Sequence, residues 1–146
     1  MIYITGDKHA DFYEVCCFCK KEKTNISDLM IILGDAGINY FNDPRDYKLK
    51  KELSECNITF FCVHGNHEER PEKIKTYKTK EFHNGIVYYE EEYPNILFAK
   101  DGEVYSLNNK SVLVIGGAYS IDKEYRIKYG YCWYETEQPN ADIKKR

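Results

Sequence analysis

"DLMIILGDAGINYFNDPRDYKLKKELSECNITFFCVHGNHEER", residues 28–70, carries the alternation on which the fold turns. "LMIIL" (29–33) and "ITFFCV" (58–63) are apolar runs of strand length. Between them, the segment beginning "DPRDYKLKKELSEC" (43–56) reads as a helix, with Asp43 as N-cap and Pro44 at the first helical position. Upstream, "IYIT" (2–5) is a short β-rich run, and "ADFYEVCCFCKKEK" (10–23) has helical length with its lysines in the last turn, where the helix dipole favours them. Strand, helix, strand, helix, strand implies parallel pairing through right-handed crossovers. Each strand then ends in polar residues: Asp7 and His9, Asp35, and Asn66 and His67. In a parallel sheet those ends lie on one edge, where ligands bind in open α/β folds. Five metal-capable side chains are therefore expected to converge there.

The pattern changes after His67. "ERPEKIKTYKTKEF" (69–82) is polar and reads as helical or irregular. "GIVYYEEE" (85–92), "NILFAK" (95–100), "EVYSL" (103–107) and "SVLVIGG" (111–117) are short runs separated by turn signals, an antiparallel meander expected to form a second sheet. "GGAYSIDKEYR" (116–126) reads as a loop. "GYCWYETEQPNADIKKR" (130–146) reads as a loop leading into a helix capped by Asn140. No repeat or linker divides the chain, so one domain over 1–146 is expected.

The 146 residues are 42% apolar and 31% charged, an ordinary globular composition. No apolar run approaches the ~20 residues that span a bilayer, and "MIYITGD" has no secretory signal pattern, so a cytoplasmic location without membrane contact is expected. The net charge of −3 comes from intermixed signs, with no basic stripe to follow a phosphate backbone. Direct nucleic-acid binding is not expected, whereas a protein partner is. The six cysteines include "CCFCKK" (16–21), which lacks paired C-x-x-C spacing and reads as small apolar side chains of a packed helix, reduced in a cytosolic chain. Fourteen tyrosines suit half-buried strand positions and a contact surface.

"GDKHAD" (6–11), "LGDAG" (33–37) and "GNHE" (65–68), in this order at strand ends, resemble the first three motifs of the calcineurin-like metallophosphoesterases. "GGAYSIDKEYR" and "WYETEQP" (133–139) are similar to stretches of bacterial and phage members. The resemblance implies an α/β fold, a sandwich of mixed β-sheets flanked by helices. It also implies a divalent metal (Zn, Mn or Fe), one or two per chain. In that family two metals clamp the attacking and leaving oxygens of an in-line displacement. Carried over, Asp7 and His9 hold the first metal, Asp35 bridges, Asn66 holds the second, and His67 donates a proton or steadies the phosphate.

The departures are equally definite. The family's later histidine motifs have no counterpart, because the histidines are His9, His64, His67 and His83. Ile38 stands where the family's second motif ends in an aspartate that orients the motif-three histidine. His64 reads as a structural residue. The expectation is thus a truncated metallophosphoesterase-like domain, lacking the C-terminal part, in which Asp7, His9 and Asp35 with solvent hold one metal. Lys123 and Arg126 are candidate phosphate contacts. Two functions follow: a binding or inhibitor protein, for example an anti-CRISPR inhibitor of a CRISPR effector nuclease, or a phosphoesterase whose site is completed in trans or by a further segment.

Overall fold

The three N-terminal strands pair in parallel, as their helical connections require. In the computed structural model, which describes residues 1–143, these are β1 (Ile2–Thr5), β2 (Leu29–Leu33) and β3 (Thr59–Val63). Ile4 lies beside Ile31 and Ile31 beside Phe61. Helix α1 (Tyr13–Glu22) connects β1 to β2, and α2 (Pro44–Ser54) connects β2 to β3. Asp43 caps α2 as its sequence indicates, accepting a hydrogen bond from the Arg45 N–H at 2.9 Å.

The second half departs from expectation in three places. Residues 69–82 hold only one short 3-10 turn, Pro71–Lys73, and then strand β4 (Lys78–Phe82), which pairs antiparallel with β5 (Gly85–Glu90). The strand was hidden because it is a charged edge strand with one paired side, a composition that discourages intermolecular pairing. His83 and Asn84 both have positive φ (48° and 69°), the two-residue reversal that a hairpin of this twist needs.

Next, the meander does not form a separate sheet. Strand β6 (Tyr93–Ala99) pairs antiparallel with β5 but parallel with β3, giving one six-stranded mixed sheet in the order β1-β2-β3-β6-β5-β4. β6 is a central strand, and all its residues except Pro94 are buried, because both sheet faces are covered there. Only β7 (Val104–Leu107) and β8 (Lys110–Leu113) form the second, two-stranded sheet. Finally, the expected loop at 116–126 gives way to helix α3 (Lys123–Tyr129), which ends on Gly130 in the left-handed region (φ 73°). None of its residues is buried, so it lacks the apolar stripe by which helices are recognised.

Alternation in the strands sends side chains to two cores. Met30, Ile32, Phe60 and Phe98 pack with Phe12, Val15 and Leu53 on the helical face. Leu29, Ile31, Phe61 and Leu97 pack with Tyr105 and Leu107 on the face covered by β7 and β8. The sheet is thereby sandwiched, and the C-terminal ends of β1, β2 and β3 are left open together. Asn140 accepts the Asp142 N–H at 3.0 Å and residues 141–142 form a turn, while residues 144–146 of the expected terminal helix lie outside the described residues. No helix is long and apolar enough to cross a membrane among the described residues.

Candidate metal centre

The loops that follow β1 and β2 are held in conformations that side chains rarely adopt. His9, Ala10 and Asp35 all have positive φ, at 46°, 69° and 34°. Each such residue costs on the order of 1–3 kcal/mol, and clusters of them mark functional sites. The strain is held by stitching between the loops: the N–H groups of Lys8 and His9 donate to the Asp35 carbonyl at 3.0 and 2.8 Å, and Ala10 N–H donates to Ala36 at 3.0 Å. Two glycines permit the close approach. A Cβ on Gly37 would strike the backbone of His9 and Ala10, and one on Gly65 would strike both the backbone N and Oδ1 of Asp35. The glycine of "GNHE" is there because Asp35 occupies the space its side chain would need.

His9, Asp35 and His67 meet at this edge, each offering one ligand atom within 4.8 Å of the others. Asp35 is buried; its Oδ1 accepts the backbone N–H of His67 at 3.0 Å, and its Oδ2 lies 3.3 Å from His67 Nδ1. That separation matches the ~3.3 Å between two ligands on a tetrahedral ion bound at about 2.0 Å. Arg126 also reaches Nδ1, with a guanidinium nitrogen 3.2 Å away. The two neighbours make opposite demands, since arginine only donates and an ionised carboxylate only accepts. Nδ1 has one lone pair, which either accepts from Arg126 or meets a cation shared with Asp35 Oδ2; a bound cation would take that lone pair and leave the Arg126 N–H free for an anion. Two imidazoles and a carboxylate with open positions form a donor set suited to Zn or Fe. The residues therefore fit a divalent metal.

The cavity beside the trio has a volume of about 420 Å³ and is lined by Tyr40, Phe41 and Arg126 as well as by His9, Asp35 and His67. Arg126 is fixed on α3 by Asp122, which accepts from Nε at 2.7 Å, and by the carbonyl of Cys132 and the hydroxyl of Tyr40. Asp122 stands 3.9 Å from His67 Nε2. Burial opposes its ionisation, but the hydrogen bond and charge of Arg126 outweigh it and hold the carboxyl below its ordinary value. Asp122 thus flanks the imidazole in a site where Ile38, fully buried in the helical core, has no carboxylate to offer.

Beneath the loops lies Glu68, fully buried, accepting N–H groups from Gly37 at 3.0 Å and Gly65 at 3.2 Å. It ties the loop carrying Asp35 to the loop carrying His67. Burial, with the charge of Asp35 adding to it, pushes its carboxyl up to about 7. His64, at the end of β3, is 2% exposed, and burial pushes its imidazole down to about 3.

Of the residues singled out by sequence, the structure brings His9, Asp35, His67 and Arg126 together. Asp7 lies at the rim, its side chain 57% exposed and its Oδ2 4.0 Å from His9 Nε2, outside the trio. Asn66 donates through Nδ2 to Ser120 Oγ at 2.8 Å. Lys123 lies over the ring of Trp133, 4.0 Å from its centroid, and does not line the cavity. Asp122, Tyr40 and Glu68 were missed. The i, i+4 pair Asp122 and Arg126 was the available signal for the first.

Comparison with curated proteins yields no match. A family model for calcineurin-like phosphoesterases matches residues 1–144. With three motif loops gathered at one sheet edge around a His-Asp-His cluster and that match over nearly its whole length, the chain belongs to the calcineurin-like phosphoesterase family.

Proposed function

We propose that this protein binds one divalent cation at His9, Asp35 and His67, captures a phosphate ester against that cation and Arg126, and hydrolyses it. The carrying observation is the 3.3 Å pair of Asp35 Oδ2 and His67 Nδ1, two ligand atoms with an arginine already alongside. A bound cation would supply Lewis acidity and a hydroxide near neutral pH. The rest falls to the chain. Arg126 presents N–H groups to phosphate oxygens in a fixed fork, and Asp122 and Tyr40 keep that fork aimed into the cavity. Glu68 holds the two ligand loops in register. Arg126 supplies the positive charge that a second metal supplies elsewhere in the family, so a single cation is sufficient in this reading. His67 acts as a ligand here, which removes it as proton donor while the cation is bound.

Turnover of a chromogenic phosphodiester with added Mn²⁺, lost in Asp35→Ala, is the expected result. No turnover with Mn²⁺, Zn²⁺ or Fe²⁺ would overturn the hydrolase reading. A second reading, a binding or inhibitor protein, is favoured by one observation. Tyr125, Tyr129 and Tyr131 are exposed and cluster with ring centroids 4.6 and 6.0 Å apart, the aromatic composition of contact surfaces. Nothing in that surface favours a CRISPR effector nuclease over other partners. Retention of a specific protein from a bacterial lysate, lost when the three tyrosines become serine, would support this second reading.

A further inference from the structure

Cys16 lies on α1 and Cys56 just beyond the C-cap of α2, 40 positions apart, yet their sulfurs stand 3.0 Å apart. That is inside ordinary van der Waals contact for two sulfurs. Two thiolates on a tetrahedral zinc, each at about 2.3 Å, would be ~3.8 Å apart. No third metal-ligating side chain closes on the pair among the described residues. The two thiols are pressed closer than ordinary contact, with either one able to donate to the other. Both are half-buried, and they line a cavity of about 560 Å³ together with Cys19, Lys20, Lys23 and Glu52. Thr24 and Asn57 also line it. They precede β2 and β3, which puts the cavity at the opposite edge of the parallel strands from the metal centre.

We propose that Cys16 and Cys56 are a redox site that closes to a reversible disulfide by exchange with a low-molecular-weight disulfide entering this cavity. The order of events follows from the surroundings. The Cys56 thiol also donates to the Glu52 carbonyl, 3.8 Å away, and burial pushes that thiol up, so Cys56 keeps its proton and Cys16 attacks first. The Cys16 thiolate attacks one sulfur of the small disulfide, forming a mixed disulfide and expelling one small thiolate, which takes up a proton. The Cys56 sulfur, giving up its proton, then attacks Cys16 Sγ and expels the second small thiol. The protein pair loses two electrons and two protons, and the small disulfide gains both. In a reducing compartment such a bond is transient, as redox-responsive pairs are.

The test uses the full chain in the Cys17→Ser background, which removes the exposed thiol beside Cys16. The probe is oxidised glutathione, read by intact mass, by a non-reducing peptide digest and by thermal melting. The expected product has lost two hydrogens, contains a peptide joining Cys16 to Cys56, and reverts with dithiothreitol. Closing a loop of about 40 residues should raise Tm by roughly 5–10 °C. With Cys56→Ser added, the reaction should stop at a mixed disulfide on Cys16. A stable glutathione adduct without the internal bond, or no reaction at all, would overturn the proposal. Neither result depends on whether the metal centre is loaded.

Discussion

Replacing His64 with leucine should make a nearly pH-independent stability rise toward acid pH, by an amount that follows from burial. Neither ring nitrogen of His64 has a hydrogen-bond partner among the described residues, and its pKa falls from the ordinary 6.5 to about 3, by burial first and the charge of Arg70 second. Between those two values the unfolded chain binds a proton that the native state refuses, so the free energy of unfolding drops as pH falls. At about 1.4 kcal/mol per pH unit, acidification from pH 7 to pH 5 removes about 2 kcal/mol through this residue. Glu68 acts in the opposite sense, because its carboxyl rises from 4.5 to about 7. The stability it contributes is complete below 4.5 and is lost as pH rises through 7, which is also about 2 kcal/mol between pH 5 and pH 7. In the wild type the two nearly cancel. In His64→Leu the Glu68 effect stands alone, so the urea midpoint at pH 5 should rise relative to pH 7 by about 1 M more than in the wild type, for an m-value of about 2 kcal/mol/M. Glu68→Gln should shift it by a similar amount the other way. The assay is urea unfolding at both pH values with chelator present. An identical pH response in wild type and His64→Leu would refute the picture of a buried, neutral, unpartnered imidazole.

Gly65→Ala places a Cβ on the backbone and carboxylate of Asp35 and should destabilise the fold by about 1–3 kcal/mol while weakening Mn²⁺ binding at least tenfold. Calorimetric titration checks it, and wild-type affinity would show that the loops move apart without consequence. Arg126→Met should weaken inorganic phosphate binding to the Mn²⁺-loaded protein by about 10–100-fold, the value of one charge-assisted hydrogen bond. An unchanged phosphate affinity would remove Arg126 from the site. Arg70→Met leaves the carboxylate of Asp101 buried without its 2.5 Å ion-pair partner, and chemical denaturation should show a loss of about 3–5 kcal/mol. A loss under 1 kcal/mol would mean that water replaces the guanidinium.

The parts of the fold that were legible in sequence rest on local cues. Asp43 followed by Pro44 marks a helix start through groups adjacent in the chain, and apolar runs ending in Gly-Asp or Gly-Asn mark strands that end at a ligand edge. Topology then carried Asp35 and His67, distant in sequence, to the same place. What was not legible depends on partners far along the chain. Nothing local distinguishes β6 as parallel to β3 rather than as one more member of a meander. β4 carries lysines because it is an edge, and α3 carries no apolar stripe because none of its residues is buried. Arg126 was visible as a charge but not as the neighbour of His67, and Asp122 was not considered. The "CCFCKK" stretch read as packing alone. Cys19 is buried in the helical core, but Cys16 meets a sulfur from the far end of α2 that no spacing rule could supply.

The most direct test of the proposed centre is metal content per chain by plasma mass spectrometry, on the wild type and on Asp35→Ala after equilibration with Mn²⁺, Zn²⁺ and Fe²⁺. One metal per wild-type chain and none in Asp35→Ala is the predicted result. Two metals per chain, or one that persists in Asp35→Ala, would contradict a single cation held by His9, Asp35 and His67.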